Sequence, residues 1–224
     1  MNIYAKVALA TAAVVVAALI GYSYFFAPNV GDQTPPTPPA SPSATPAPLE
    51  DGVLVPGRYA IPDVIPSTIV LTVPPGWQKN AVPAAVWTAG SDAHLAFATV
   101  SNVYVDPCAP APVLSDPPVG PTVDDLVAAL DGLPGFEVTT PTDVTVGGYD
   151  GKVLELTSPA DCDTSRLWRA QPVNEDVPVE PHARIWILDA SGQRLVIAAH
   201  DRPTADPSDV EEMQEMVETL ELTR

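Results

Sequence analysis

The sequence predicts an α+β domain, an antiparallel sheet packed with helices, preceded by one N-terminal transmembrane helix. Three observations carry that reading. Residues 7–27 form an uncharged apolar run. From Thr68 onward, short segments alternate apolar and polar residues with a period of two, as half-buried strands do. Two other stretches, 122–131 and 206–220, combine helix caps with apolar residues at 3–4 spacing.

The first element is the run VALATAAVVVAALIGYSYFFA, Val7 to Ala27. As a helix it extends about 31 Å, the thickness of a hydrocarbon core. A cleaved secretory signal is the alternative. No small-x-small cleavage site is evident in Tyr24-Phe25-Phe26-Ala27, and no cysteine follows the run to accept a lipid. Lys6 precedes the span and no basic residue follows until Arg58, which places residues 1–6 as a cytoplasmic tip and the C-terminal domain outside the cell membrane. Tyr22, Tyr24, Phe25 and Phe26 cluster at the far end, where tyrosine suits the interface.

Residues 28–49 read PNVGDQTPPTPPASPSATPAPL and hold almost nothing that builds a core. Proline favours polyproline II, so this disordered linker extends up to roughly 70 Å. It also has the composition of a ligand for aromatic grooves but lacks flanking basic residues.

The remainder, 50–224, is sized for one domain with a sizeable core. The chain carries 28 acidic and 10 basic residues, a net charge of −18. Of these only Asp32 and Lys6 lie before residue 50, so the exported part keeps the whole imbalance. Such a surface repels phosphate backbones, which excludes nucleic acid as a partner. Cys108 and Cys162 are the only cysteines and both fall in the exported part, where a disulfide is the economical reading. It closes a loop of about 55 residues, for which loop entropy gives at most about 4 kcal/mol.

In Thr68–Val73, Ile69, Leu71 and Val73 share one face of a strand, which Pro74-Pro75-Gly76 ends. His94 to Val105 is a second long strand. Lys152–Thr157 follows a glycine-rich turn, Gly147 to Gly151, and together they predict a hairpin. Residues 183–189 and 193–200 are apolar on both parities and are joined by Ala190-Ser191-Gly192, which predicts adjacent central strands. Thr122 caps the first helix, Gly132 stops it, and Leu126, Val127 and Leu130 face inward. The second helix starts at Asp206-Pro207 and runs to about Leu220. Val210, Met213, Val217 and Leu220 form its stripe, with Glu211, Glu212, Glu215 and Glu218 outside.

This order of elements resembles the Mog1/PsbP-like α/β sandwich: paired opening strands ending in LTVPPGW, a mid-chain helix, hairpins, then RIWILDASGQRLVIAAHDRP and a closing helix running into LEL. It is most similar to the exported, membrane-anchored or lipoprotein versions found in high-GC actinobacteria. The resemblance covers about Val53 to Leu222. It implies an accessory, chaperone-like or ligand-binding role and carries over no catalytic residue. The Cys108 and Cys162 pair and the loop between Pro107 and Pro121 are not among the features it implies.

Site residues are sparse. His94, His182 and His200 are too scattered for a metal motif, and Asp161 and Asp163 around Cys162 lack the glycine and glutamate of a calcium loop. His200-Asp201 suggests an imidazole–carboxylate pair, but Ser191 and Ser165 sit in no nucleophile elbow. Gly147-Gly148 leads into a strand rather than a phosphate-binding helix. No catalytic, cofactor-binding or metal residue is therefore assigned. Trp168 between Arg166 and Arg169 is the best candidate for recognition, offering cations and a stacking surface, with salt bridges to nearby carboxylates as the structural alternative. The sequence thus points to a membrane-anchored extracytoplasmic binding, sensing or accessory protein whose partner is an envelope protein or a small ligand. An envelope hydrolase or transferase with dispersed active-site residues, and a scaffold docking through the acidic helix, are the alternatives.

Overall fold

The computed structural model describes residues 45–90, 92–162, 166–172, 176–178 and 181–223. The apolar run 7–27 and the spacer up to residue 44 lie outside them. No helix among the described residues is long and apolar enough to cross a membrane.

The unit from Ala44 to Arg224 is α+β, built of two mostly antiparallel sheets and two helices. The smaller sheet orders β1 (Ala47–Pro48), β3 (Gly57–Ile61), β4 (Thr68–Val73) and β15 (Glu221–Thr223). Here β1 pairs parallel to β3, so the last residues of the proline-rich stretch join the sheet. Pro48 is tolerated because β1 is an edge strand, where a missing donor costs little.

The larger sheet runs β2 (Gly52–Val53), β5 (Trp77–Lys79), β6 (Ala85–Thr88), β7 (Ala93–Val103), β14 (Arg194–Asp201), β13 (His182–Asp189), β10 (Tyr149–Thr157) and β8 (Glu137–Val138). On the edge of β10 beside β8 lies β9 (Thr142–Val146), while β11 (Arg166–Gln171) joins the far half of β7 and carries β12 (Asp176–Pro178). The two strands expected at its centre are there, paired through eight rungs from His182–Asp201 to Asp189–Arg194.

Their doubly apolar pattern has a physical reason. Leu195, Ile197 and Ala199 of β14 enter one core cluster, shared with Ile69 and Leu71 of the small sheet. Val196 and Ala198 enter the other. The helix α1 (Val123–Asp131) buries Leu126 and Leu130 in the second cluster, and α2 (Pro207–Glu218) buries Met213, Met216 and Val217 in the first. The large sheet is thus covered on both sides over its middle strands. Each fully buried leucine or isoleucine contributes about 1.5–3 kcal/mol.

Both helices start as their sequences direct. Thr122 accepts from the Asp125 N–H at 3.1 Å, and the Asp125 carboxylate accepts from the Thr122 N–H at 2.9 Å, a closed capping box. The Asp206 carboxylate accepts from the Ser208 N–H at 3.0 Å, with Pro207 opening the helix. The end of α2 falls at Glu218 rather than Leu220, because the chain turns at Thr219 to enter β15. Leu220 is nonetheless buried, as its place in the stripe predicts.

Two hairpins show why their glycines matter. Gly147 and Gly148 have φ of 58° and 82°, and Ser191 and Gly192 have 60° and 85°, the positive pair a type I′ turn demands. Gly151 belongs to strand β10 rather than to the turn, and a methyl group there would collide with the Ile187 carbonyl of β13. Finally, Cys108 and Cys162 form the expected disulfide, with their Cα atoms 5.0 Å apart, pinning the loop after β7 beside the start of β11.

Candidate functional site

Strand alternation decides which polar side chains meet. His200 and Asp201 are neighbours in β14 and so point to opposite faces of the sheet. The imidazole–carboxylate pair forms instead between His182 and Asp201, the first rung of the β13–β14 ladder, with Nδ1 2.6 Å from Oδ1. His200 is turned to the other face and stacks on His94 at 4.5 Å, and His94 stacks on Trp87 at 3.8 Å. These three rings come from adjacent strands, β6, β7 and β14. Burial, then the neighbouring His200 and Arg202, push the His94 pKa down to about 2, so its imidazole is neutral. The histidines therefore divide two against one. Among the described residues no three histidine, cysteine or acidic side chains gather as a metal site.

The serines stay away from the pair. Ser191 occupies the turn at the opposite end of the eight-rung ladder, with its Oγ 3.5 Å from the Tyr149 hydroxyl. Ser165 and Asp163 lie outside the described residues.

The set Arg166, Trp168 and Arg169 is divided by β11. Leu167 and Trp168 are buried, with Trp168 3 % exposed in the α1-side core, while Arg166 and Arg169 are exposed. A register shift between Arg166 and Trp168 lets two successive residues turn inward. The indole packs the core and presents no open stacking face.

A different tryptophan and arginine meet at a cleft. Trp186 of β13, on the α2 side of the sheet, carries the Arg184 guanidinium 5.4 Å from its ring centroid. Arg184 and Trp186 share a face because they are two residues apart in a strand. The Arg184 Nη1 donates to Gln214 Oε1 of α2 at 3.1 Å and lies 3.9 Å from the Glu155 carboxylate. Its Nε is buried and finds no acceptor among the described residues. Beside this group opens a cleft of about 240 Å³ between α2 and the strands β9, β10 and β13, with Val144, Val153 and Trp186 on one side and Gln214, Val217 and Glu218 on the other. A smaller one of about 60 Å³ reaches the His182 and Asp201 pair and shares Arg184, Trp186 and Gln214 with it. Trp186 is buried, 5 % exposed, as its place between Ile185 and Ile187 predicts, and what the sequence does not show is that Gln214, from a helix thirty residues on, meets Arg184 beside it.

Two further clefts border Arg194, one of about 330 Å³ beside α1 and one of about 480 Å³ that reaches Val64, Val100 and Val119. The Arg194 Nη1 donates to the carbonyls of Gly120 at 2.6 Å and Thr122 at 2.8 Å and its Nη2 to that of Val100 at 2.7 Å, while its Nε, like that of Arg184, is buried without an acceptor among the described residues. Burial lowers its pKa and the nearby Asp125 opposes that shift. Arg194 is a staple between β14, β7 and the entry to α1. At Arg184 a cation stands beside the half-buried valines Val144 and Val153. Comparison of the chain with family models, with curated proteins and with solved structures yields no match.

Proposed function

We propose that this chain is a membrane-anchored binding or accessory protein, displaying a Mog1/PsbP-like domain outside the cell membrane on a proline-rich spacer. The observation that carries the binding reading is Arg184, mounted on Trp186 at the mouth of a half-apolar cleft with a buried donor left unsatisfied. Display outside the membrane is supported by the apolar run, by the spacer and by the disulfide, which suits an oxidising compartment. The paired opening strands, mid-chain helix, hairpins and closing helix support the fold assignment.

Proximity labelling from the full-length protein in its native envelope tests the function. A reproducible partner in the wild type that is lost in Arg184→Ala supports binding at the cleft, and an identical labelling pattern in both argues against it. The address has its own test. An N-terminal tag retained in the membrane, with the domain cleaved by protease added outside, is expected; loss of the tag and release of the remainder to the medium would refute the anchor.

A further inference from the structure

The edge of the large sheet beside the cleft is undefended. Among the described residues β9 pairs with β10 alone. Antiparallel bonds alternate along a strand, and the rung flanking the two-residue turn is Val146 with Tyr149. Residues 142, 144 and 146 therefore spend their backbone groups on β10, and Asp143 and Thr145 direct theirs outward. Sheet edges are usually blunted by proline, bulges or free charges. Within β9 there is no proline and no register shift, and its one charge, Asp143, is held by Lys152 at 2.8 Å.

This edge borders the cleft. The main contacts of α2 are with β14, β4 and β7, so its flank leaves the β9 and β10 side of the sheet open, with half-buried Val144 and Val153 as floor. An extended chain laid along β9 would alternate its side chains, placing every second one on the cleft side of the sheet beside Val144. Glu218 is exposed on the α2 wall of a chain with net charge −18, while Glu155 at the far end lies 3.9 Å from Arg184, which it offsets.

We propose that β9 and the cleft beside α2 form a strand-addition site for an extended peptide segment of another exported protein, with alternating small apolar side chains flanked by lysine or arginine. This rests on the binding reading above and names its ligand class. The backbone groups of Asp143 and Thr145 supply the main-chain hydrogen bonds, Val144 packs beside the inward apolar side chains, and Glu218 selects the flanking positive charge.

The test uses the full chain in lipid nanodiscs with the peptide acetyl-KTVTVK-amide as probe and acetyl-ETVTVE-amide as its charge-reversed control. Binding is expected for the basic peptide, with hydrogen exchange at the Asp143 and Thr145 amides slowed at least tenfold. Thr145→Pro, which removes one outward donor, and Glu218→Lys, which leaves the strand intact, should each raise Kd at least tenfold. Equal binding of both peptides, or binding without protection at these amides, overturns the proposal, as does failure of the basic peptide to bind. If the peptide fails while envelope labelling still depends on Arg184, strand addition is wrong and the binding reading stands; absence of any labelled partner in the wild type defeats that reading itself.

Discussion

The two polar pairs at one end of the central hairpin differ in what the protein lets water reach. On one face His94 and His200 are stacked and 5 % and 1 % exposed, sealed beside Trp87. On the other, one residue along the same strand, Asp201 meets His182 in a half-exposed pair at the end of a cleft. The backbone alternation is identical for both. The difference lies in the cover, because α2 leaves the edge of its face open whereas the histidine stack is closed over. Burial makes the first pair a matter of stability, while the second stays partly open at the end of the smaller cleft.

The sharpest way to break this contrast is to truncate an aromatic on the closed face. Trp168→Ala should lower unfolding free energy by about 3–5 kcal/mol in urea titrations, with its cavity left among Leu167, Leu126 and their neighbours. Arg184→Met, on the open side, should change stability by less than about 1 kcal/mol, since it removes a cation–π contact together with an orphaned donor. Equal losses in the two variants would mean that the cleft is structural.

The histidine stack adds a pH signature. The folded His94 pKa is depressed to about 2, while an unfolded histidine titrates near 6.5. Above pH 6.5 both states hold a neutral ring and stability is unaffected. Below it the unfolded state takes up a proton that the folded state refuses. Relative to His94→Gln, the wild type should therefore lose up to about 1.4 kcal/mol per pH unit as pH falls from 6.5 toward 2. Parallel stability curves for the two proteins between pH 4 and 6 would remove the argument.

The smallest effect concerns α1, which helps close its face. Thr122→Ala should cost about 1 kcal/mol through loss of the cap, and Thr122→Ser should restore most of it. Thermal denaturation of the pair reads this directly.

Much of the fold was legible because its signals are local. Alternation in Thr68–Val73, the Gly147-Gly148 turn, the caps at Thr122 and Asp206 and the doubly apolar central strands each report a backbone requirement met within a few residues. The stripe on α2 was read too narrowly, missing Met216, because that helix is buried between two sheets rather than against one. Glu212 was placed outside, yet its carboxylate accepts from the indole of Trp77 at 2.8 Å. Site residues were least legible. Trp168 stood out for its charged neighbours, but a register shift in β11 turned it inward. Trp186 is buried as its flanking isoleucines predict, and the arginine two positions before it is the local clue to the cation on its ring.

The junction between spacer and domain has a mechanical consequence. Among the described residues the first pairing is the two-rung parallel pair of Ala47 with Tyr59 and Pro48 with Ala60. A pull applied at residue 45 would load these rungs before any longer ladder. Peeling those rungs and the two of β2 against β5 would release residues 45–56, roughly 40 Å of slack at extended-chain spacing, withdrawing Leu54 and Leu49 from one buried cluster and leaving the other untouched. The domain is thus fastened by a seam that yields under load while the fold behind it keeps its shape.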